Sequence, residues 1–385
     1  MNHDNTAFVL TETQVMLRDS LARFLAEQYD IELRTRTLAA AEDQPPLWRA
    51  FARDLGLFGI SFGEEQGGLG GDVRDNLVVM ETLGRYLAAE PYLSTIVIGG
   101  GLLRRVPGAP ARDLLGRVID GDAVLAFAAA EPHARHDLTD VRTRLQPAGD
   151  GWLLNGRKAV VHGAPWAGEL LITGRCVGAP YDPLGISLVC LPADTPGISR
   201  RDYRMLDGGR ASELAFDDVP VRADQLLGEP GAALPLLEQV LDEATLAVCA
   251  EACGVLSRLL DDTVDYAKQR SQFGVPIARF QVLQHRMADM YMALEQVRAL
   301  TAASVAALDA PPAERMRAVS SAKVSANRAC RVVGQGGVQI HGGMGMTEEL
   351  AVGHYFRRAT QIEQLFGSLD HHLRRVDSLT HQLER

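Results

Sequence analysis

The sequence is poor in several things at once. It has five cysteines in 385 residues, Cys176, Cys190, Cys249, Cys253 and Cys330, an odd number with no Cys-x-x-Cys pair. That excludes a disulfide framework and a cysteine-held zinc, so no metal site is expected and a reducing compartment fits best. No run of about 18 apolar residues occurs, so no membrane-spanning helix is expected. The opening Met1-Asn-His-Asp-Asn-Thr-Ala lacks the charged and apolar segments of a secretory leader, which leaves the cytoplasm as the expected location. Positive charge is in deficit, with 39 Lys+Arg against 49 Asp+Glu for a formal net charge of −10. A nucleic-acid binder needs a basic surface to displace counterions, so that class is disfavoured, though a local basic groove for an anionic ligand is compatible with the net charge. No fixed-period repeat or low-complexity tract appears.

What is present is ordinary globular composition, 46% hydrophobic and 23% charged. The length implies two or three packing units, since single cores stop growing near 250–300 residues. Proline divides the chain, because nine of the 18 prolines fall within residues 121–232. Helix interiors exclude proline, so this stretch reads as strands and turns, a small β-barrel or sandwich. Strand candidates are Val141–Gln146, Trp152–Leu154, Arg157–His162, Leu170–Thr173, Ile186–Leu191 and Ser212–Phe216, with turns at Asp150-Gly151 and Asn155-Gly156. Residues 11–120 read mostly as helix. Thr11 and Gln14 make a capping-box start, and the glycine-rich 63–71 segment reads as a loop. From about Leu234 the apolar spacing is helical again over 234–270, 280–308 and 314–333, with prolines 311 and 312 opening the last run. The expectation is an α+β protein with an N-terminal helical domain (1–120), a middle β domain (121–232) and a C-terminal helical bundle (233–385).

Two segments have the makings of a binding site. Arg270-Ser-Gln272-Phe273-Gly274 follows a long helix. An Arg, a Gln and a Phe there suit a phosphate, an amide edge and an aromatic ring, or else form a charged helix cap. Gln335-Gly-Gly-Val-Gln339-Ile-His-Gly342-Gly343-Met-Gly345 reads as a glycine loop able to approach a phosphate, or as a wide inter-helix turn. Its glycines do not follow a strand, so it is not a Rossmann fingerprint.

Together, Arg270-Ser-Gln-Phe-Gly and Gln339-Ile-His-Gly-Gly-Met-Gly-Met-Thr-Glu-Glu349 resemble the acyl-CoA dehydrogenase family, in its helical–β–helical order along nearly the whole chain. Leu125-Ala-Phe-Ala, Gly228–Pro235, Arg279–Arg286 and Val352–Phe356 resemble the small subunits of pimeloyl-CoA dehydrogenases. The resemblance implies FAD held between the β domain and the C-terminal helices across a subunit interface. Arg270, Gln272, Phe273, Gln339, Gly342 and Gly343 are then the FAD-binding residues. It also implies an acyl-CoA substrate, a homodimer, homotetramer or heteromer with a second such subunit, and a flavoprotein electron acceptor. In the family a carboxylate removes the α-proton while the β-hydrogen passes to the flavin.

The chain departs from that pattern where the chemistry sits. The family's Glu-Gly-Thr base segment reads Phe366-Gly367-Ser368, and Phe366 cannot accept a proton. An alternative base position counts back from Arg270 to Ala244, leaving adjacent Glu243 as the candidate base, with a solvated helical carboxylate as the plainer reading. Asp242 matches a CoA-contacting Asp, whereas Thr245 replaces a family Arg. Glu251 is either buried or on a polar stripe. The flavin-facing Thr reads Ala130 and the covering Trp reads Val160, with His136 or His162 as replacement donors. Arg135 is a candidate for a phosphate or else a solvated loop charge, and Arg135 or Arg279 for a distal carboxylate of the acyl chain. Three readings follow: a dehydrogenase with a relocated base, the non-basic companion subunit of a heteromeric dehydrogenase, and a flavin oxidase or monooxygenase on the same scaffold.

Overall fold

The computed structural model describes residues 10–40 and 45–383. The leader reading over residues 1–7 lies outside them. In chain order the elements are α1 (Glu12–Gln28), α2 (Ile31–Ala39), α3 (Trp48–Arg53) and α4 (Val73–Tyr86), then a π-helix, Leu93–Gly100, that runs into α5 (Gly101–Leu103), and α6 (Ala109–Ile119). The strands follow: β1 (Leu125–Ala128), β2 (Arg144–Ala148), β3 (Gly151–His162), β4 (Glu169–Arg175), β5 (Ile186–Pro192), β6 (Ile198–Arg204), β7 (Arg210–Val221) and β8 (Leu226–Leu227). The rest is α7 (Leu234–Gln269), a small hairpin of β9 (Ser271–Gln272) and β10 (Val275–Pro276), α8 (Gln281–Val305), α9 (Pro312–His341), α10 (Ala351–Ile362) and α11 (Leu369–Leu383). The mixed helix-and-sheet class is as expected. The capping box at Thr11 and Gln14 is formed. No helix among the described residues is long and apolar enough to cross a membrane.

The described residues fall into two compact units, one drawn from 35–73 and 89–244, the other from 1–34, 74–88 and 245–385. The first contains the sheet, in the order β6-β7-β3-β2-β4-β5-β8, with β1 parallel to β4. Its core is the inward face of alternating strands, including Leu145, Leu154, Leu170, Ile172, Val189, Leu214 and Phe216. β4 is buried along almost its whole length, as a strand covered on both faces should be. Two cations are buried in this unit. Arg175 ends β4 and donates to the carbonyls of Thr139 (2.7 Å), Leu184 (2.9 Å) and Val141 (3.0 Å), fastening two loops to the strand. Lys158 sits in β3 and pairs with Glu131 at 2.7 Å.

One expected turn is absent. Asn155-Gly156 does not end a strand, and β3 is continuous from Gly151 to His162. The register against β7 shifts between Leu154 and Gly156, which is a bulge. Gly156 has φ +149°, and a Cβ there would lie 2.6 Å from the Cα of Thr143. The glycine serves close backbone approach rather than chain reversal. The true hairpin is at Gly149-Asp150, where Ala148 pairs with Gly151.

The second unit is helical, with α9 packed against α8, α10 and α11. Here too a glycine signal was misread as a loop. α9 continues through Gly336 and Gly337 to His341, so the loop begins only at Gly342. A Cβ on Gly336 would lie 2.6 Å from Met290 Sδ of α8, and one on Gly337 3.0 Å from Leu259 of α7. These glycines let helices approach and were chosen by packing, not by a turn. Glu251 is buried, and Arg358 holds it through two contacts, Nε–Oε1 at 2.6 Å and Nη2–Oε2 at 2.8 Å. All five cysteines are free, and burial pushes the Cys249 thiol up to about 12, so it is unreactive.

Candidate functional site

The helical unit brings the two sequence motifs to one place. The last turn of α7 carries Tyr266, whose ring stacks on His341 at the end of α9, with centroids 4.2 Å apart and planes 25° apart. His341 Nδ1 is 2.8 Å from the Gly337 carbonyl, which fixes the ring. Arg270 lies one turn beyond Tyr266, and Gln339, Gly342 and Gly343 flank His341. The Arg270 carbonyl accepts the Ile277 N–H at 2.8 Å and closes the β9–β10 hairpin. At its tip Phe273 and Gly274 have φ of +53° and +80°, the two left-handed residues of a type I′ turn. The turn holds the Phe273 ring 94% exposed, touched only edge-on by Phe280 among the aromatic rings.

Everything this corner presents is open. Arg270, Gln272, Gln339, Gly342 and Gly343 are all exposed. Arg270 has no side-chain hydrogen bond or ion pair among the described residues, so it does not act as the capping cation that was the plainer reading. A Cβ added at Gly274, Gly342 or Gly343 would meet nothing within 4 Å. The beginning of α8 is similar: of residues 281–289 none is buried, and Val282 is 68% exposed. A bare aromatic ring, an unpaired guanidinium and a helix start with no buried residue are features of a surface built to be covered.

Comparison with known proteins decides the family. Sequence profiles described as the N-terminal, middle and C-terminal domains of acyl-CoA dehydrogenase match residues 11–105, 126–219 and 234–378. The chain is 30% identical to the probable acyl-CoA dehydrogenase YngJ of Bacillus subtilis (strain 168), over 92% of this chain and 94% of that one. It is 32% identical to the caffeyl-CoA reductase–Etf complex subunit CarC of Acetobacterium woodii, over 90% and 92%. Among solved structures it resembles a variant of the Tcur3481–Tcur3483 steroid ACAD, with a TM-score of 0.86 at 30% identity over 97% and 99% of the two chains. The chain belongs to the acyl-CoA dehydrogenase family. This is a family of FAD-dependent oxidoreductases. The donor set at the exposed corner fits FAD. It combines an unpaired guanidinium for phosphate, two amides, unshielded glycine backbone and a free aromatic face.

The segment at Phe366, expected from the sequence to align with the family's base, is closely held. Phe366 is half-buried at φ +55°. Its carbonyl lies 3.2 Å from His372 Nε2, which serves as the donor. Burial, reinforced by Lys323, drives the His372 pKa down to about 2, so the ring is neutral. The next carbonyl, Gly367, accepts from Lys323 Nζ at 3.5 Å and Asn327 Nδ2 at 3.4 Å. Lys323 also caps α10 through the Ile362 carbonyl at 2.8 Å. The corner is held from two sides, and the side chain it carries is a phenyl ring.

The other carboxylates on α7 are placed plainly. Glu243 is not a solvated surface group, as its side chain is only 4% exposed. Oε1 accepts from Arg105 at 2.5 Å and Oε2 from Arg104 at 3.4 Å, so both oxygens are engaged. The reason is local: the π-helix and α5 end in the consecutive arginines 104 and 105, and Arg104 also reaches the Ser61 carbonyl at 3.2 Å. Asp242 is buried at 1% exposure and is no surface charge.

In the sheet unit, the segment resembling the flavin-facing strand is strained. Val160 has φ +53° and is 43% exposed, in a bulge where the pairing with β7 shifts between Lys158 and Val161. A β-branched residue in that region is a genuine outlier. The Ala159 N–H leaves β7 and donates to the Ala130 carbonyl at 2.9 Å. His136 and His162 are both half-buried and each has an interaction partner. Arg135 and Arg279 are exposed. Sequence reasoning missed Lys158, Lys323 and Glu90. A lone charge inside an apolar strand or helix was the available signal for the two lysines. Glu90, in Ala-Ala-Glu-Pro, gave none.

Proposed function

We propose that this chain serves flavin-dependent α,β-dehydrogenation of an acyl-CoA thioester as the dinucleotide-holding subunit of an assembly whose partner chain carries the proton-abstracting carboxylate. The observation that carries this reading is the contrast between the two halves of the chemistry. The corner suited to a dinucleotide is open, while the segment read as the base position carries Phe366, whose carbonyl meets His372, and both oxygens of Glu243 are engaged by arginines. A base must reach the α-carbon with a free lone pair in a dry site. The names of the relatives fit, one being a subunit of a caffeyl-CoA reductase–Etf complex and another the Tcur3481–Tcur3483 steroid ACAD. An electron-transferring flavoprotein is the acceptor this reading implies.

Bound FAD supplies the acceptor for the β-hydrogen. Arg270 neutralises phosphate charge, Gln272 and Gln339 donate or accept at the dinucleotide edge, and Phe273 offers a ring face. Gly342 and Gly343 keep side chains away from the phosphate path. A charge-assisted hydrogen bond is worth about 1.5–3 kcal/mol, so Arg270→Ala is expected to weaken FAD binding about 10–100-fold in the assembled protein.

The test is expression of the chain alone and together with a homologue that has Glu-Gly-Thr at the Phe366 segment. The visible spectrum should show little flavin alone and stoichiometric flavin together, and acyl-CoA should bleach it under anaerobic conditions. Flavin bound and bleached by this chain alone would overturn the companion reading in favour of a relocated base. Glu243→Gln separates the same readings. Loss of the charge and of one guanidinium contact should lower the unfolding midpoint, while the bleaching rate of the assembly stays within about twofold, since an ion-paired structural carboxylate makes no transition-state contact.

A further inference from the structure

Glu90 is the least explained group in the sheet unit. It is 6% exposed, and neither carboxylate oxygen has a hydrogen-bond partner among the described residues. Buried carboxylates are normally paired, and an unsatisfied one costs free energy that calls for a reason. Two other costly features adjoin it. The chain enters a π-helix at Leu93, a rare conformation concentrated at functional sites. A Cβ on Gly163, at the end of β3, would lie 3.1 Å from Ser94 Oγ and 3.6 Å from Pro91. That places the segment next to Glu90 against the strand end that follows strained Val160. Strain and unsatisfied polarity held at one place mark a site that a ligand completes.

The chemistry of the missing partner follows from what surrounds the carboxyl. Burial raises its pKa to about 7; no ionisable side chain contributes, and the only opposing pulls come from the N–H groups of Glu90 and Ala89. No positive side chain offsets a negative charge there and the two amides do not outweigh burial, so the site suits the neutral acid, which donates one O–H and accepts at its carbonyl oxygen. A ligand hydroxyl, itself donor and acceptor, complements both. We infer that Glu90 is a specificity-determining residue that receives a hydroxyl group on the acyl part of the thioester, so that this chain favours hydroxylated over plain alkyl acyl-CoAs. The inference rests on the acyl-CoA reading above.

The experiment uses the FAD-loaded protein, in its assembly if FAD requires one, with hexanoyl-CoA and its 4-, 5- and 6-hydroxy derivatives as probes. Titration calorimetry on wild type should show at least one hydroxylated thioester binding about tenfold tighter than hexanoyl-CoA, the size of one good buried hydrogen bond. Glu90→Leu should abolish that preference and Glu90→Gln retain most of it. Without ligand, Glu90→Leu should melt higher than wild type at pH 8, and the gap should close by pH 4.5. The sign follows from a folded-state pKa raised from 4.5 to about 7, because wild type loses stability as pH rises through that window and the variant does not. Equal preference in wild type and Glu90→Leu, a lower melting temperature for Glu90→Leu, or loss of flavin bleaching in Glu90→Gln with binding intact would each overturn the proposal. Failure of all four thioesters to bind wild type would instead defeat the acyl-CoA reading, and this inference with it.

Discussion

Gly254→Ala is expected to destabilise the protein by about 3 kcal/mol or more, or to prevent folding, although the same change in an ordinary helix stabilises it by up to about 1 kcal/mol. The reason is a reciprocal crossing of α4 and α7. A Cβ on Gly254 would lie 1.9 Å from the Glu81 carbonyl oxygen and 2.7 Å from the Arg85 nitrogen, both main-chain atoms. A Cβ on Gly84 would lie 2.4 Å from the Glu251 carbonyl oxygen. Each glycine sits three residues after the glutamate whose carbonyl presses on the other, so the two backbones touch directly. Flexible side chains can swing away from a new methyl group, but a helix carbonyl moves only with its helix. Gly116→Ala in α6 is the control, since a Cβ there meets nothing within 4 Å. That variant should gain about 0.5–1 kcal/mol. Urea unfolding of the three proteins gives the comparison, and a Gly254→Ala midpoint at or above wild type would refute the crossing.

The two crossing glycines also show what the sequence could and could not disclose. Local rules were legible. Thr11 and Gln14 form the capping box, the turn read at Asp150-Gly151 falls one residue earlier at Gly149-Asp150, and Pro311-Pro312 opens α9. Each depends on residues within a few positions of one another. The tandem motifs at Arg270 and Gln339 were legible as a pair, and the Tyr266–His341 stack shows why they belong together. Glycine was ambiguous because one residue answers two needs, a left-handed backbone or a close approach. Asn155-Gly156 and Gly336-Gly337 read as turns, yet their neighbours are Thr143, Met290 and Leu259, distant in sequence. The charge on Glu243 was visible but its two arginines, on a different helix, were not. Glu90 was invisible for the deepest reason: its distinguishing property is the absence of a partner, which only the folded chain can show.

Replacing Lys158 by Met should cost about 3–5 kcal/mol, the usual penalty for stranding one member of a buried ion pair. Lys158 Nζ donates to Glu131 Oε1 at 2.7 Å, Thr173 Oγ1 at 2.9 Å and the Ala129 carbonyl at 3.2 Å. Glu131 in turn accepts the N–H of Arg142 at 2.9 Å on Oε2 and that of Thr143 at 3.0 Å on Oε1. The pair therefore pins the loop after β1 onto the sheet, directly before the strained Val160. Burial pulls the Lys158 pKa down to about 8, which leaves the ammonium charged at neutral pH. Burial works to raise the Glu131 pKa, but Lys158 and the Thr143 N–H outweigh it and hold it below the ordinary carboxylate value of 4.5. The wild-type carboxylate thus contributes stability that is present above pH 4.5 and lost as pH falls through its lower folded value. Without Lys158 the sign reverses, since an unpaired buried carboxyl prefers its proton and loses stability as pH rises. The penalty of Lys158→Met should accordingly be largest near pH 7 and shrink toward pH 4. The double variant Lys158→Met, Glu131→Gln should recover part of the loss, because no buried charge is then left without its partner. A pH-independent penalty, or a double variant as unstable as the sum of the singles, would show that the ion pair does not hold this loop.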